Sequence, residues 1–526
     1  MNYLITGSPI YTLDVDYGVV QAMVVKDGLV AAVGERKTLQ NQYPDARKVD
    51  LEGGAVIPAF NDCHAHLLLL GQDLMRCNLM GCTTRAQVLA ALLRWQDKNP
   101  SSPWIMGWNF DAANYREALP LSCTDLNEVS RHQPVIISDQ TKHAVMVNSA
   151  AMEQAGISAD TTDPKGGMIE RNPSGNPTGV FREMAAMELM ESAVPDPGVE
   201  GICRALGVAM DYLEKKGILA ATESLAGNWY PLAGKISAYN RVLEKGGPVR
   251  ITLLPEFISA QKAGWLEREA IACLHLHEDL RIGPLKLMAD GAISARTAAL
   301  TLPYENSTSL GHLTLEGDEL DRRVRMAQQA GWATATHAIG DRAIQVTINA
   351  IEKARQDCAR PGLRHRIEHA ILLDARLCQR LAALEIMISA QPQLLLDMGD
   401  NHFAALGDRS FSEKPYLSLL QAGVLLGFGS DLPVVDGDPI PGWRAAVNRQ
   451  TRAGMVLGRQ EGLSPLTALE CYTKGSAALG RDTALGTLAP GKQARFVVLS
   501  HRPELIAEED IKVVEVSSRI MANHMN

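Results

Sequence analysis

Residues 55–66 read AVIPAFNDCHAH, an apolar run that passes directly into polar, metal-capable side chains. Four to eight apolar residues bounded by a turn suit a buried strand. A (β/α)8 barrel carries its chemistry at the C-terminal ends of its strands, which is where this run changes character. Residues two apart in extended chain point to the same side, so His64 and His66 can reach one ion.

Outward from this stretch, seven more runs have the same build: GILAATES (217–224), VRITLLPEF (249–257), PLKLMAD (284–290), WATATH (332–337), HRIEH (365–369), IMISAQP (386–392) and VLLGFGSD (424–431). Helical periodicity lies between them, as where Ile344, Ile348 and Ile351 fall on one face after Asp341. Strands alternating with helices imply a parallel sheet, and eight of them suit a closed (β/α)8 TIM-like barrel. The barrel is expected over residues 59–482.

Both chain ends read differently. NYLITG, QAMVVKDGLVAAVG and ARKVDLEGG, and near the other end GTLAPGKQARFVVLS and IKVVEVSSRIMAN, are Val-rich runs broken by tight-turn pairs such as Asp-Gly. Residues 1–58 and 483–526 are therefore expected to form one small β-sandwich from both ends. The first two barrel strands stand roughly 150 residues apart, far more than a crossover helix needs. An inserted subdomain is expected at about 75–205, with a helix whose Val88, Ala91, Leu92 and Trp95 share a face, and with loops such as DPKGGMIERNPSGNPTG.

Composition narrows the function classes. The 526 residues are 46% hydrophobic and 21% charged, ordinary for a globular protein, and no run approaches the ~20 apolar residues of a membrane span. A formal charge of -9 leaves no basic stripe to track phosphates, so neither nucleic acid nor membrane is an expected partner. The start lacks a signal-peptide pattern, and the nine cysteines are scattered without a CxxC pair, so reduced thiols and a cytoplasmic location are expected. Cys63, beside the HxH pair, reads as a buried structural thiol. The expected partners are a small-molecule substrate and, as an oligomeric option, a second copy in a homodimer.

A lone HxH is weak evidence, and His275 and His277 form a second one within a helical pattern that reads as structural. The first pair differs in its company. Lys286, His337, His369 and Asp431 each lie within or at the end of a different expected strand. This ordered set resembles the amidohydrolase superfamily, and more closely its family 3, the branch of N-substituted formamide deformylase-like enzymes. The resemblance extends to WIMGWNFD (104–111), HAVMVNSAAM (143–152), GGMIERNPSGNPTGVFRE (166–183), KLMADGAISARTAAL (286–300), HAIGDRAI, RIEHA, GSDLPV and YTKGSAALG.

The resemblance implies a barrel flanked by a β-sandwich and a site for two divalent ions. His64, His66 and Asp431 would hold one ion, and His337 and His369 the other. Lys286 would bridge them as a carbon dioxide-derived carbamate, since an ammonium has no lone pair for a cation. Zinc suits imidazole and carboxylate ligands, and iron, manganese or cobalt would also fit. Metal-activated hydroxide would attack a carbon–nitrogen bond of an amide, formamide or imide-like substrate, with Asp431 passing the proton to the leaving nitrogen. His143 and Arg296 match motif positions that could bind substrate, and Arg182 and Glu183 are ambiguous between site and scaffold. Where related chains carry a His two residues past the Gln-Pro pair, this one has Gln393-Leu394, with His402 nearby. Three alternatives stand beside this reading: an ester, lactone or phosphoester hydrolase on the same binuclear site, a mononuclear deaminase, and a non-catalytic regulatory barrel.

Overall fold

The computed structural model describes residues 2–520 except 113–114, 117–120, 140–143, 165, 228–230, 267–273 and 519. Asp27 and Gly28 both adopt positive φ, 50° and 77°, the geometry of a two-residue hairpin turn, and they join Ala22–Lys26 to Leu29–Gly34. These strands continue through Asn2–Thr6 to Arg47–Asp50 as a four-stranded sheet. A second, five-stranded sheet runs Val513–Val516, Phe496–Leu499, Ala55–Pro58, Ile10–Tyr11, Val19–Val20, so strands from both chain ends pair directly. Ile5, Met23 and Val25 of the first sheet and Ile10, Val56, Phe496 and Val498 of the second share one apolar core.

The first expected barrel strand divides at Ala59. Ala55–Pro58 pairs antiparallel with Phe496–Leu499 in the terminal sheet, and Phe60–Ala65 alone pairs in parallel with Ile218–Ala226. The apolar run is continuous, and nothing in its composition marks where it changes sheets.

Two all-parallel sheets follow. One runs Leu280–Ile282, Arg250–Pro255, Ile218–Ala226, Phe60–Ala65; the other runs Leu285–Met288, Thr334–Ala338, Arg366–His369, Met387–Ala390, Leu426–Phe428. Gly283 and Pro284 separate Leu280–Ile282 from Leu285–Met288, and the proline supplies no N–H to a ladder at that point. The expected strand at 284–290 is thus the second half of a longer extended path.

Backbone contacts cross both seams between the sheets. Glu256 and Lys286 form a parallel bridge on one side. On the other, Asp431 N donates to His64 O at 2.7 Å and His66 N to Leu432 O at 2.9 Å. Helices between the strands bury their apolar faces as the periodicity requires: Ile344, Ile348 and Ile351 of Asp341–Asp357 are fully buried.

The chain forms two compact units, residues 1–67 with 210–526, and Leu68–Ala209. The second lies in sequence between the strands Phe60–Ala65 and Ile218–Ala226. It holds a six-stranded sheet ordered Met168–Arg171, Pro177–Arg182, Ala144–Val147, Val135–Asp139, Ile105–Phe110, Cys77–Asn78, which was not foreseen from its sequence. Helix Arg85–Lys98 begins with a capping box between Thr84 and Gln87 and buries Val88 and Leu92 among Ile105, Val135 and Ile137. Among the described residues no helix is long and apolar enough to cross a membrane.

Candidate metal centre

The strand Phe60–Ala65 ends in Asp62-Cys63-His64-Ala65, and its final turn is set by Asp62. One carboxylate oxygen of Asp62 accepts from His64 N and from Ser430 N, both at 3.0 Å, tying the HxH segment to the loop that carries Asp431. The two backbones come so close that a Cβ on Gly429 would lie 2.6 Å from His64 N, so only glycine fits there. Asp431 adopts φ 65° and His369 φ 71°, left-handed conformations that cost a non-glycine residue of order 1–3 kcal/mol and persist only where surroundings enforce them. Both side chains are thereby turned toward the histidines.

The six expected residues come together. One ligand atom each from His64, His66 and Asp431 lies within 4.8 Å of the others. His66 Nε2 stands 3.2 Å and His64 Nε2 3.5 Å from Asp431 Oδ1. The His64 ring lies 4.8 Å from that of His369, which lies 4.6 Å from that of His337. Lys286 is buried, and its Nζ has no hydrogen-bond partner among the described residues.

Each imidazole has one nitrogen tied to an acceptor. His64 Nδ1 meets Glu368 Oε2 at 2.5 Å, His66 Nδ1 meets Ser224 O at 3.0 Å, His369 Nδ1 meets Gln391 Oε1 at 2.8 Å, and His337 Nε2 meets Gly291 O at 3.0 Å. Carbonyl and carboxylate oxygens only accept, so these four nitrogens carry the protons and the opposite four keep their lone pairs. Burial, and then the charge of Lys286, pushes His64 and His337 down to about 4, and burial holds His369 well below the usual imidazole value. Neutral rings with free lone pairs are what a divalent ion requires.

Burial also brings Lys286 down to about 8, against the opposing pull of Glu368 and Asp431, so its amine is far easier to deprotonate than a surface lysine. For Asp431 burial works upward, but the imidazoles around it, His66 first and then His64 and His369, outweigh it and keep the carboxyl below its usual range. The set of four imidazole lone pairs, one carboxylate and one unpartnered buried amine fits divalent metal ions with nitrogen and oxygen ligands.

Several residues that organise this cluster escaped the sequence reading. Glu368 precedes His369 in RIEHA. Glu223 of GILAATES accepts from Leu67 N at 2.9 Å, Lys235 Nζ at 3.0 Å and Tyr239 OH at 2.7 Å. Asp290 accepts from Ala299 N, Ile339 N and Gly340 N, fixing the loop beyond His337, and burial raises its carboxyl to about 6. The one available signal was acidic residues inside or at the end of otherwise apolar strands.

Other singled-out residues lie elsewhere. Arg296 is exposed and donates to Glu305 O at 3.0 Å and Ala404 O at 3.4 Å, tying its own loop to the helix Pro392–Leu406. His143 lies outside the described residues. Arg182 pairs with Glu170 at 3.2 Å. His402 is buried against Glu413, 2.8 Å from its Oε2, and Gln393 donates to Asp436 at 2.6 Å. His275 O and His277 Nδ1 serve loop hydrogen bonds to Asn240 and Asp279. Cys63 contacts Ser389 Oγ at 3.2 Å, and burial pushes its thiol up to about 12, out of range for a nucleophile at neutral pH.

Known proteins resemble this chain over nearly its whole length. YtcJ of Bacillus subtilis (strain 168), described as an amidohydrolase, is 29% identical over 98% of this chain and 97% of its own. The N-substituted formamide deformylase of Arthrobacter pascens is 29% identical over 98% and 96%. The crystal structure of a metal-dependent hydrolase from Pyrococcus horikoshii OT3 superposes with a TM-score of 0.80 at 25% identity, covering 96% of this chain and 98% of that one. The model of the amidohydrolase family matches residues 47–523. Since that match takes in both parallel sheets and every residue of the histidine cluster, the chain belongs to the amidohydrolase family.

Proposed function

We propose that this chain is a metal-dependent hydrolase that opens a carbon–nitrogen bond, of amide, formamide or imide type, in a small molecule. The observation that carries the reading is the set of four imidazoles, each with one nitrogen engaged by an acceptor and the other free beside Asp431 and Lys286. On this reading the two parallel sheets close as a (β/α)8 barrel over 59–482, with an insertion at about 75–205 and a sandwich from 1–58 and 483–526. Cys63, Cys77, Cys378 and Cys471 are buried free thiols, which suits the reducing cytoplasm. The deformylase of Arthrobacter pascens supports the choice of bond.

His64, His66 and Asp431 would hold one divalent ion, His337 and His369 the second, and Lys286 would join them as a carbamate; zinc suits the ligand set. Such ions supply Lewis acidity and lower the pKa of water toward neutrality. The neutral Lys286 amine would form the bond to the carbon of CO2 and release one proton, so that an uncharged tip becomes an anionic carbamate with two oxygens. Asp431, ionised at neutral pH, accepts the proton of the attacking water and delivers it to the departing nitrogen, which otherwise would leave as an amide anion. The left-handed turn at Asp431 holds that carboxylate where His66 meets it.

The test is elemental analysis joined to a substrate panel of N-formyl amines, N-acyl amino acids, cyclic imides and esters. About two equivalents of divalent metal, activity lost to a chelator and restored by metal, and turnover of a carbon–nitrogen substrate are expected. Full activity in stringently metal-free protein would defeat the reading, and turnover of esters alone would move it to the ester hydrolases.

A further inference from the structure

Of the four acceptors that fix the imidazoles, three are uncharged: the carbonyls of Ser224 and Gly291 and the amide oxygen of Gln391. The fourth is the carboxylate of Glu368, fully buried and 2.5 Å from His64 Nδ1. Arg366 stands two residues earlier on the same strand, so both side chains leave the same face. Its guanidinium, also fully buried, donates to both oxygens of Glu368 and, at 2.8 Å, to Cys63 O in the HxH segment. The chain Arg366–Glu368–His64 therefore starts and ends on the segment that carries the first two histidines.

Stability does not account for this pair. Replacing a buried ion pair by apolar residues of similar volume is often neutral or stabilising, and here Arg366 Nη1 is left without a hydrogen-bond partner, a further cost. A carboxylate on the outer nitrogen of a ligating histidine has a known physical effect: it fixes the ring and raises the basicity of the inner nitrogen, more strongly than a neutral acceptor does. We propose that Glu368 is a positioning residue of the metal centre, which through His64 sets the affinity of the ion shared with His66 and Asp431, and that Arg366 holds its carboxylate in place. This rests on the metal-dependent reading above. It makes the two ions unequal: one is gripped through a carboxylate hydrogen-bonded to its histidine, while the other is held by His337 and His369, whose outer nitrogens hydrogen-bond to the neutral Gly291 O and Gln391 Oε1, with Asp290 Oδ1 beyond hydrogen-bond distance at 3.6 Å from His337 Nε2.

Glu368→Gln keeps the shape and an acceptor for Nδ1–H but removes the charge. Zn2+ competition against a chromophoric chelator should show one ion weakened by about 10–100-fold and the other unchanged. Co2+ substitution should shift the visible absorption of one site only, while the melting temperature follows the fold separately. With His64→Asn already present, Glu368→Gln should have no further effect on metal retention. Should Glu368→Gln fail to fold because Arg366 is stranded, the double variant Arg366→Met with Glu368→Gln removes both charges and should show the same loss at one ion. Wild-type affinity for both ions in a folded variant, or equal weakening of both, overturns the proposal and leaves the functional reading standing. A wild-type protein that takes up no divalent ion overturns both.

Discussion

At the His64 end of the cluster, three ligand atoms already lie within 4.8 Å of one another, and His66 meets Asp431 at 3.2 Å. At the Lys286 end, two imidazole rings 4.6 Å apart stand with a buried amine that has no hydrogen-bond partner. The first end is complete in atoms that the chain itself supplies. The second has two lone pairs and no anionic ligand of its own, so on our reading it needs a covalent addition to Lys286 before it can hold an ion tightly. One corner is built by folding and the other by folding followed by chemistry.

The largest test of that contrast is Lys286→Ala. It should lower kcat/KM by ~10²–10³-fold or more, the scale seen when an electrostatic element of a catalytic site is removed, and it should release the ion at the Lys286 end while the His64 end keeps its own. Acetate or propionate should restore part of the turnover by filling the vacated bridge. A variant that retains two tightly bound ions in metal analysis would erase the distinction.

A second test uses pH. Only the neutral amine can form the carbamate, and Lys286 changes state at about 8. At fixed CO2 partial pressure, reactivation of metal-free protein should therefore quicken about tenfold per pH unit up to pH 8 and then level off, whereas binding of the first ion should be indifferent to CO2. Linkage sets the matching sign in the metal-free fold. The folded pKa lies below the 10.5 of an ordinary lysine, so the unfolded chain binds this proton more tightly. The resulting destabilisation is full below about 8 and fades as pH rises toward 10.5. Lys286→Met removes it, and the gap in melting temperature between variant and wild type should shrink across that window; a constant gap would show that Lys286 does not titrate there.

The smallest effect is expected at Arg296, which ties its exposed loop to the helix Pro392–Leu406. Arg296→Ala should change stability by less than about 1 kcal/mol and leave metal content intact. A rise in KM for some substrates and not others would identify it as a substrate contact; unchanged kinetics would assign it to the scaffold.

Much of this was legible in the sequence because ligands at strand ends carry their own signature. His64, His66, His337, His369 and Asp431 each interrupt an apolar run at its C-terminal end, and Lys286 stands within one. The residues that orient them leave no such trace. Glu223 and Glu368 are acidic side chains within strands, and only the contacts with Lys235, Tyr239, Arg366 and His64 distinguish them from a solvated edge. Strand boundaries failed where composition was continuous, at Ala59 between two sheets, and where a Gly-Pro step split one path at 283–284. In the Leu68–Ala209 unit, the strands at 135–139 and 144–147 are the short apolar runs VIISD and AVMV, which periodicity alone does not separate from a turn of buried helix.

The pairing of Ala55–Pro58 with Phe496–Leu499 also bears on synthesis. On the ribosome, Ala55–Pro58 is made long before Phe496–Leu499 and has no partner on that side until the later strand has emerged. At ~5–20 residues per second the wait is on the order of tens of seconds, during which one edge of a Val- and Ile-rich strand stays open. Nascent chains stalled before Phe496 should therefore be the species that chaperones hold and proteases find, and a circular permutant that places 483–520 directly ahead of Asn2 would shorten the wait between the two strands.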